Sequence, residues 1–207
     1  HTHTHTHTHT HTHTHMHTNT CKALPPNTHT HAHSNNRISN VQVIVQSSVT
    51  LQSCDCGLSE DSGVSVEEEG SRLIMCDTEI CECGGFNAVV GPDSDVPAAS
   101  GVGAVLMLTR CVLDDGEYGL KAMSGNTIAV HCHFNGNECN VVVEAMERAP
   151  VVELRDCEVC NSSMGTGLHV SGAGAVLRAS RTTVRNNAKP IVVSGAVAEM
   201  AADCVLE

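Results

Sequence analysis

Val152-Glu153-Leu154-Arg155-Asp156-Cys157-Glu158-Val159 alternates apolar and polar side chains, loses the alternation once, and resumes it at a small thiol. Gly167-Leu168-His169-Val170 then gives a second, shorter alternation behind a turn residue. A period of two marks a strand, because successive side chains point to opposite faces. The same pair of segments recurs along the chain. The first is repeated by Val49-x-Leu51-x-x-Cys54-x-Cys56, Leu73-x-Met75-x-x-Thr78-x-Ile80, Leu106-x-Leu108-x-x-Cys111-x-Leu113 and Leu177-x-Ala179-x-x-Thr182-x-Val184, with Ile128-x-Val130 and Ala198-x-Met200 as shorter versions. The second is repeated by Val64-x-Val66, Ala88-Val89-Val90, Leu120-x-Ala122, Val141-Val142-Val143 and Ile191-Val192-Val193, each preceded by Gly63, Asn87, Gly119, Asn140 or Pro190. Those preceding residues suit turns. Val41-x-Val43-x-Val45 reads as the second strand of an earlier, incomplete coil.

Taking Leu51, Met75, Leu108, Val130, Leu154, Ala179 and Met200 as anchors, the steps are 24, 33, 22, 24, 25 and 21 residues. The long step contains Gly91 to Gly103, rich in Gly, Pro, Ser and Asp, and reads as a loop inserted on one face of a coil. In the fourth coil the register is open by one residue, since either Cys132 or His133 fits the inward small slot. Seven residues after the anchors stand Glu82, Asp115, Asn137, Asn161 and Asn186, with Leu58 the exception. Stacking would align these groups so that amides bond along a ladder.

The pattern resembles the pectin-lyase-like superfamily of right-handed β-helices, in particular the short generic repeats of carbohydrate-active proteins and of some F-box-type substrate receptors. The resemblance covers about residues 38–207. It implies an all-β fold, a right-handed parallel β-helix of about six to seven coils, each stacked on the next at about 4.8 Å. A leucine-rich repeat of the cysteine-containing kind shares the Val-x-Leu-x-x-Cys signature but needs a helical second half. Here the second half is a β-branched strand. The last residues, Asp203-Cys204-Val205-Leu206-Glu207, read as the start of a further coil, so the β-helix is expected to be truncated at both ends. Open solenoid ends expose unpaired backbone, and end-to-end self-association is expected.

Residues 1–37 form a different polymer, with 12 of the 15 histidines in the first 33 positions, mostly as His-Thr alternation. A CA dinucleotide repeat read in frame encodes that alternation, and Asn19, Ala32 and Ser34 lie one base from it. The tail is read as a disordered, translated microsatellite with nothing to form a core, whose metal affinity is incidental. Beyond it, 9 of the 11 Lys and Arg face all 23 Asp and Glu. So acidic a body repels phosphate backbones, which argues against nucleic acid. Valine outnumbers leucine 26 to 12, which favours strands. No run is apolar enough for a spanning helix. No cofactor is implied. Twelve cysteines without a disulfide framework lean towards a reducing, intracellular compartment, and the localisation is otherwise open.

The candidate chemistry is sparse. His131 and His133 flank Cys132, but alternation sends the histidines to one face and the thiol to the other, so one strand cannot ligate a metal with all three. Cys157-x-x-Cys160 supplies two further thiols. Inward cysteines such as Cys54, Cys111 and Cys157 read as small buried hydrophobes. Cys54 with Cys56, and Cys81 with Cys83, are expected to share a strand face. For catalysis the resemblance points to carboxylates on one face of adjacent coils, and Glu82, Asp114, Asp115 and Glu117 are the candidates. Glycoside cleavage needs two carboxyls at about 5 to 9.5 Å. The Gly-His-Gly and Arg-Ile-Lys signatures of polygalacturonases are not found, and only Arg110 and Lys121 stand near the acids. Tyr118, in a turn, is the aromatic expected to touch a ligand. The expected function is a non-catalytic module presenting an extended surface to a protein or a glycan; the alternative is a fragment of a polysaccharide lyase, hydrolase or epimerase.

Overall fold

The computed structural model describes residues 31–32, 39–43, 48–57, 59–67, 70–91, 103–146, 148–162 and 165–207. The tail before His31 and the core of the expected insertion, 92–102, lie outside them, as do Val45 and Leu58. Among the described residues every element is a strand, in three sheets of eight, seven and seven strands. His31–Ala32 pairs antiparallel with Ser39–Val43, and every other pairing is parallel, each strand beside its equivalents in the neighbouring coils. The chain is a parallel β-solenoid. With no helix in the second half of any coil, the leucine-rich alternative is excluded. Among the described residues no helix is long and apolar enough to cross a membrane.

One coil shows the plan. An anchor strand, Val151–Arg155, leads to a short strand, Glu158–Cys160, and then to a return strand, Thr166–Ser171. The expected first strand is therefore two strands with a corner between them, and each coil has three strands where the sequence pattern predicts two. The corner is a left-handed residue that is not glycine: Ser53, Asp77, Arg110, His131, Asp156 and Arg181 have φ between 47° and 55°. Such a conformation costs about 1–2 kcal/mol per L-residue. It persists because the corner amide stays in the ladder, Asp77 N donating to Thr109 O at 3.0 Å and His131 N to Arg155 O at 3.0 Å.

The corner also explains the small residue that follows it. Thr78 and Thr182 hydroxyls donate to the carbonyl two residues back at 3.0 Å, and Cys132 and Cys157 thiols do the same at 3.4 and 3.3 Å. A small side chain with a donor fits there and gives a second bond to a carbonyl that already accepts a ladder amide. Cys54, Cys111, Cys132 and Cys157 are all buried in this column. Hydrogen bonding with Cys111 and then Cys157, with burial adding to it, pushes the Cys132 thiol upward, so it stays neutral.

The anchors stack as expected at Leu51, Met75, Leu108, Leu154, Ala179 and Met200. In the fourth coil the partner of Leu108 and Leu154 is Ala129, not Val130. Cys132 consequently takes the inward slot. The 33-residue step leaves the register intact, since Arg72 pairs with Val105 and Met75 with Leu108. Val41 and Val43 pair with Val64 and Val66, which supplies the predicted earlier coil. Inside, Leu73, Leu106, Leu113, Phe134, Leu154 and Leu168 are fully buried.

The expected polar ladder is displaced by one residue. Glu82, Asp115, Asn161 and Asn186 are second-corner residues with φ of 52° to 58°, a position filled in the fourth coil by Gly136. The buried amides are instead Asn87, Asn137 and Asn140, joined by Asn187. They lie where the short sheet turns into the return sheet.

Candidate functional site

A three-residue strand with its middle side chain inward has to present the other two outward. Ile80, Leu113, Phe134 and Val159 are those inward residues of the short sheet. Outward, the pairings set Glu79, Val112, His133 and Glu158 in one row and Cys81, Asp114, Asn135 and Cys160 in the next. Arg185 extends the second row. Beside these rows runs the corner column. There Arg110 grips both carboxylate oxygens of Asp77 at 2.6 and 2.7 Å, and Arg181 grips those of Asp156 at 2.6 and 2.8 Å. The guanidinium bonds hold the Asp77 and Asp156 carboxyls below their usual range. These pairs are exposed and screened by solvent, so the column matters more as a fixed pattern of alternating charge than as a brace. A shallow depression opens there, lined by His131, His133, Asp156, Glu158, Arg181 and Thr183 among others.

Two clusters form on the face. Glu79, Cys81 and Asp114 bring their donor atoms within 4.8 Å of one another. Burial, with Asp55 and Glu79 adding to it, pushes the Cys81 thiol up to about 12. Burial also raises Asp114, reinforced by Asp115 and Glu79, and its Oδ1 is buried without a hydrogen-bond partner. His133, Glu158 and Cys160 form the second cluster. His133 Nε2 lies 3.2 Å from Cys160 Sγ and 3.3 Å from Glu158 Oε2. A Cys-His pair serves as a nucleophile when the thiol is depressed. Here burial and then Glu158 raise Cys160, so that activation is lacking.

The four predicted carboxylates do not form one catalytic group. Asp114 is on the strand row, Glu82 and Asp115 occupy equivalent corners of neighbouring coils, and Glu117 stands beside Tyr118 beyond the next turn. The two nearby bases are engaged elsewhere, Arg110 with Asp77 and Lys121 with Glu144 at 3.7 Å. Tyr118 stacks on Phe86, ring centroids 5.2 Å apart and 25° between planes, with Lys121 over both rings. Of the predicted metal residues, His133 joins a cluster while His131 sits in the corner. Cys54 and Cys56 are both buried as predicted. Cys81 and Cys83 are split by the Glu82 corner, the first in the outward row and the second in the core. Sequence reading missed Glu158 and offered Cys160 only as a further thiol. The meeting of Cys160 with His133 follows only once Cys132 is fixed inward.

Asp114→Asn should raise stability at neutral pH. A carboxyl raised in the folded state ionises more readily in the unfolded chain, so stability falls as pH climbs through the window above the ordinary carboxylate value and stays lower beyond it. An amide removes that loss, and Asn135 already fills the adjacent place in the row. Thermal unfolding should give the variant the higher Tm at pH 7, with the gap closing below about pH 4. A lower Tm at pH 7 would contradict the buried-carboxyl reading.

Comparisons of the chain with protein-family models, with curated proteins and with solved structures each found no match.

Proposed function

We propose that the solenoid is a non-catalytic recognition module whose contact surface is the outward face of the short sheet with its corner column, and that its partner is a protein. The observation that carries this reading is the two-sign charge pattern made by Asp77, Arg110, Asp156 and Arg181 along the corner column. Solenoids offer extended surfaces of this kind, and fixed complementary charges give orientation and fast encounter. A glycan is the lesser candidate, because stacking platforms are scarce and Tyr118 and Phe86 stack on each other. Carbohydrate cleavage has one observation in its favour, the raised Asp114 beside Glu79, since a general acid needs a raised carboxyl. It lacks a free base on that face.

The test runs the full chain through proximity labelling, a glycan array and assays for reducing-end or unsaturated-uronide release from polysaccharides. Arg181→Glu should abolish the labelling of a specific protein partner, and higher salt should slow its association. Lys121→Gln, on the return sheet, should leave both unchanged. Array signal without a protein partner would move the reading to a glycan, and product release lost in Asp114→Asn would replace it with catalysis.

A further inference from the structure

His133 comes from one coil and Glu158 and Cys160 from the next, and the parallel register sets His133 directly beside Glu158, with Asn135 beside Cys160. The donor atoms of His133, Glu158 and Cys160 lie within 4.8 Å of one another, with Nε2 3.2 Å from Sγ and 3.3 Å from Oε2. A tetrahedral zinc ion has bonds of about 2.0–2.1 Å to nitrogen, about 2.3 Å to sulfur and about 2.0–2.2 Å to oxygen, which makes the N···S edge about 3.6 Å and the N···O edge about 3.3 Å. The two measured separations fall within a few tenths of an ångström of those edges. Two edges of a coordination polyhedron are therefore close to length, and the third, between Cys160 and Glu158, is within 4.8 Å.

We propose that His133, Glu158 and Cys160 bind one Zn2+, with the fourth position open to water or to a ligand atom from a partner. Imidazole, thiolate and carboxylate together suit a borderline-soft ion, whereas magnesium and calcium require oxygen donors throughout. The surroundings orient the ligands as outer-shell partners do. Arg185 Nε holds the other oxygen of Glu158, Oε1, at 2.6 Å, leaving Oε2 turned to His133. Asn161 Nδ2 approaches Cys160 Sγ at 3.5 Å and bonds Asn135 Oδ1 at 2.7 Å. Cys160 is buried, while the His133 and Glu158 side chains are 38% and 37% exposed, so an ion approaches from the side of those two. Binding displaces one proton from the Cys160 thiol to solvent as the Zn–S bond forms. Glu79, Cys81 and Asp114 make a poorer site, with two carboxylates and no imidazole. The zinc site is independent of which partner the sheet face takes.

Cobalt is the probe, added as Co2+ to the reduced full chain. A thiolate ligand gives cobalt a near-ultraviolet charge-transfer band that the imidazoles of the His-Thr tail cannot produce, which separates the site from the tail. The band should saturate at about one equivalent per chain and be displaced by Zn2+. It should vanish in Cys160→Ser. His133→Gln should weaken Co2+ binding at least about 100-fold, the upper end of what loss of an outer-shell partner costs. Cys21→Ser, beside the tail histidines, and Cys81→Ser, in the rival cluster, should leave the band intact. No band, a band that survives Cys160→Ser and His133→Gln, or one abolished by either control would overturn the site. Should Cys160→Ser fail to fold by circular dichroism, His133→Gln, a half-exposed change on a surface strand, decides alone.

Discussion

Asn137→Ala should cost the fold about 3–6 kcal/mol, read as a fall in the urea midpoint with the slope unchanged, because several buried polar groups lose their partner together and each orphan costs about 1–3 kcal/mol. Asn137 is fully buried. Its Nδ2 donates to Leu113 O at 3.0 Å and to Asn140 Oδ1 at 2.9 Å, with Asn135 O at 3.1 Å. Its Oδ1 accepts from Asn87 Nδ2 at 2.8 Å and from the Gly116 amide at 2.9 Å. Alanine removes the acceptor of the Gly116 amide and a donor to the Leu113 carbonyl where the chain turns between sheets. The motif recurs two coils on, where Asn187 donates to Val159 O and Arg185 O and accepts from the Ser162 amide and Asn140 Nδ2. The amides therefore close the corner in place of backbone pairing. A loss below about 1 kcal/mol would mean that water replaces the side chain and that the network contributes little.

The same residue shows what the sequence could and could not disclose. Asn137 stood out as a polar member of a periodic column, but the column itself was one residue out. The slip comes from the fourth coil, where Ile128 and Val130 look like the inward pair and in fact face outward, while Thr127 and Ala129 point in. Apolar alternation is a local signal. The register is decided across coils, by Leu108 and Leu154 on either side of Ala129 and by Cys132 in the small slot. The return strands were legible because apolar pairs behind Gly, Asn or Pro have one reading in every coil. The corners were not, since Ser53, Asp77, Arg110, His131, Asp156 and Arg181 share no chemistry; they share only the lack of branching at Cβ, which the left-handed region disfavours. The zinc cluster was hidden for the same reason as the slip. His133 and Cys160 meet only in the corrected register.

Gly125→Ala should destabilise by about 2–5 kcal/mol, and Gly195→Ala by only about 1–2 kcal/mol, although both glycines adopt the left-handed conformation before an anchor strand. Gly125 has φ of 72° and Gly195 of 65°, so the backbone penalty for an L-residue is nearly common to the two. The difference is what surrounds them. A Cβ on Gly125 would stand 2.2 Å from Ala104 O, and that carbonyl already accepts the Asn126 amide at 2.9 Å. Moving the carbonyl away breaks the first ladder bond of the anchor strand; moving Gly125 strains its own carbonyl, which accepts from Val151 N at 2.9 Å. A Cβ on Gly195 meets nothing within 4 Å. Subtracting the two measured losses in urea thus isolates the steric cost of coil stacking from the cost of the left-handed turn. Equal losses would mean that the coils part easily at Ala104, and that the close stacking from which the solenoid, its charged column and its cross-coil ligands all follow is softer than the geometry indicates.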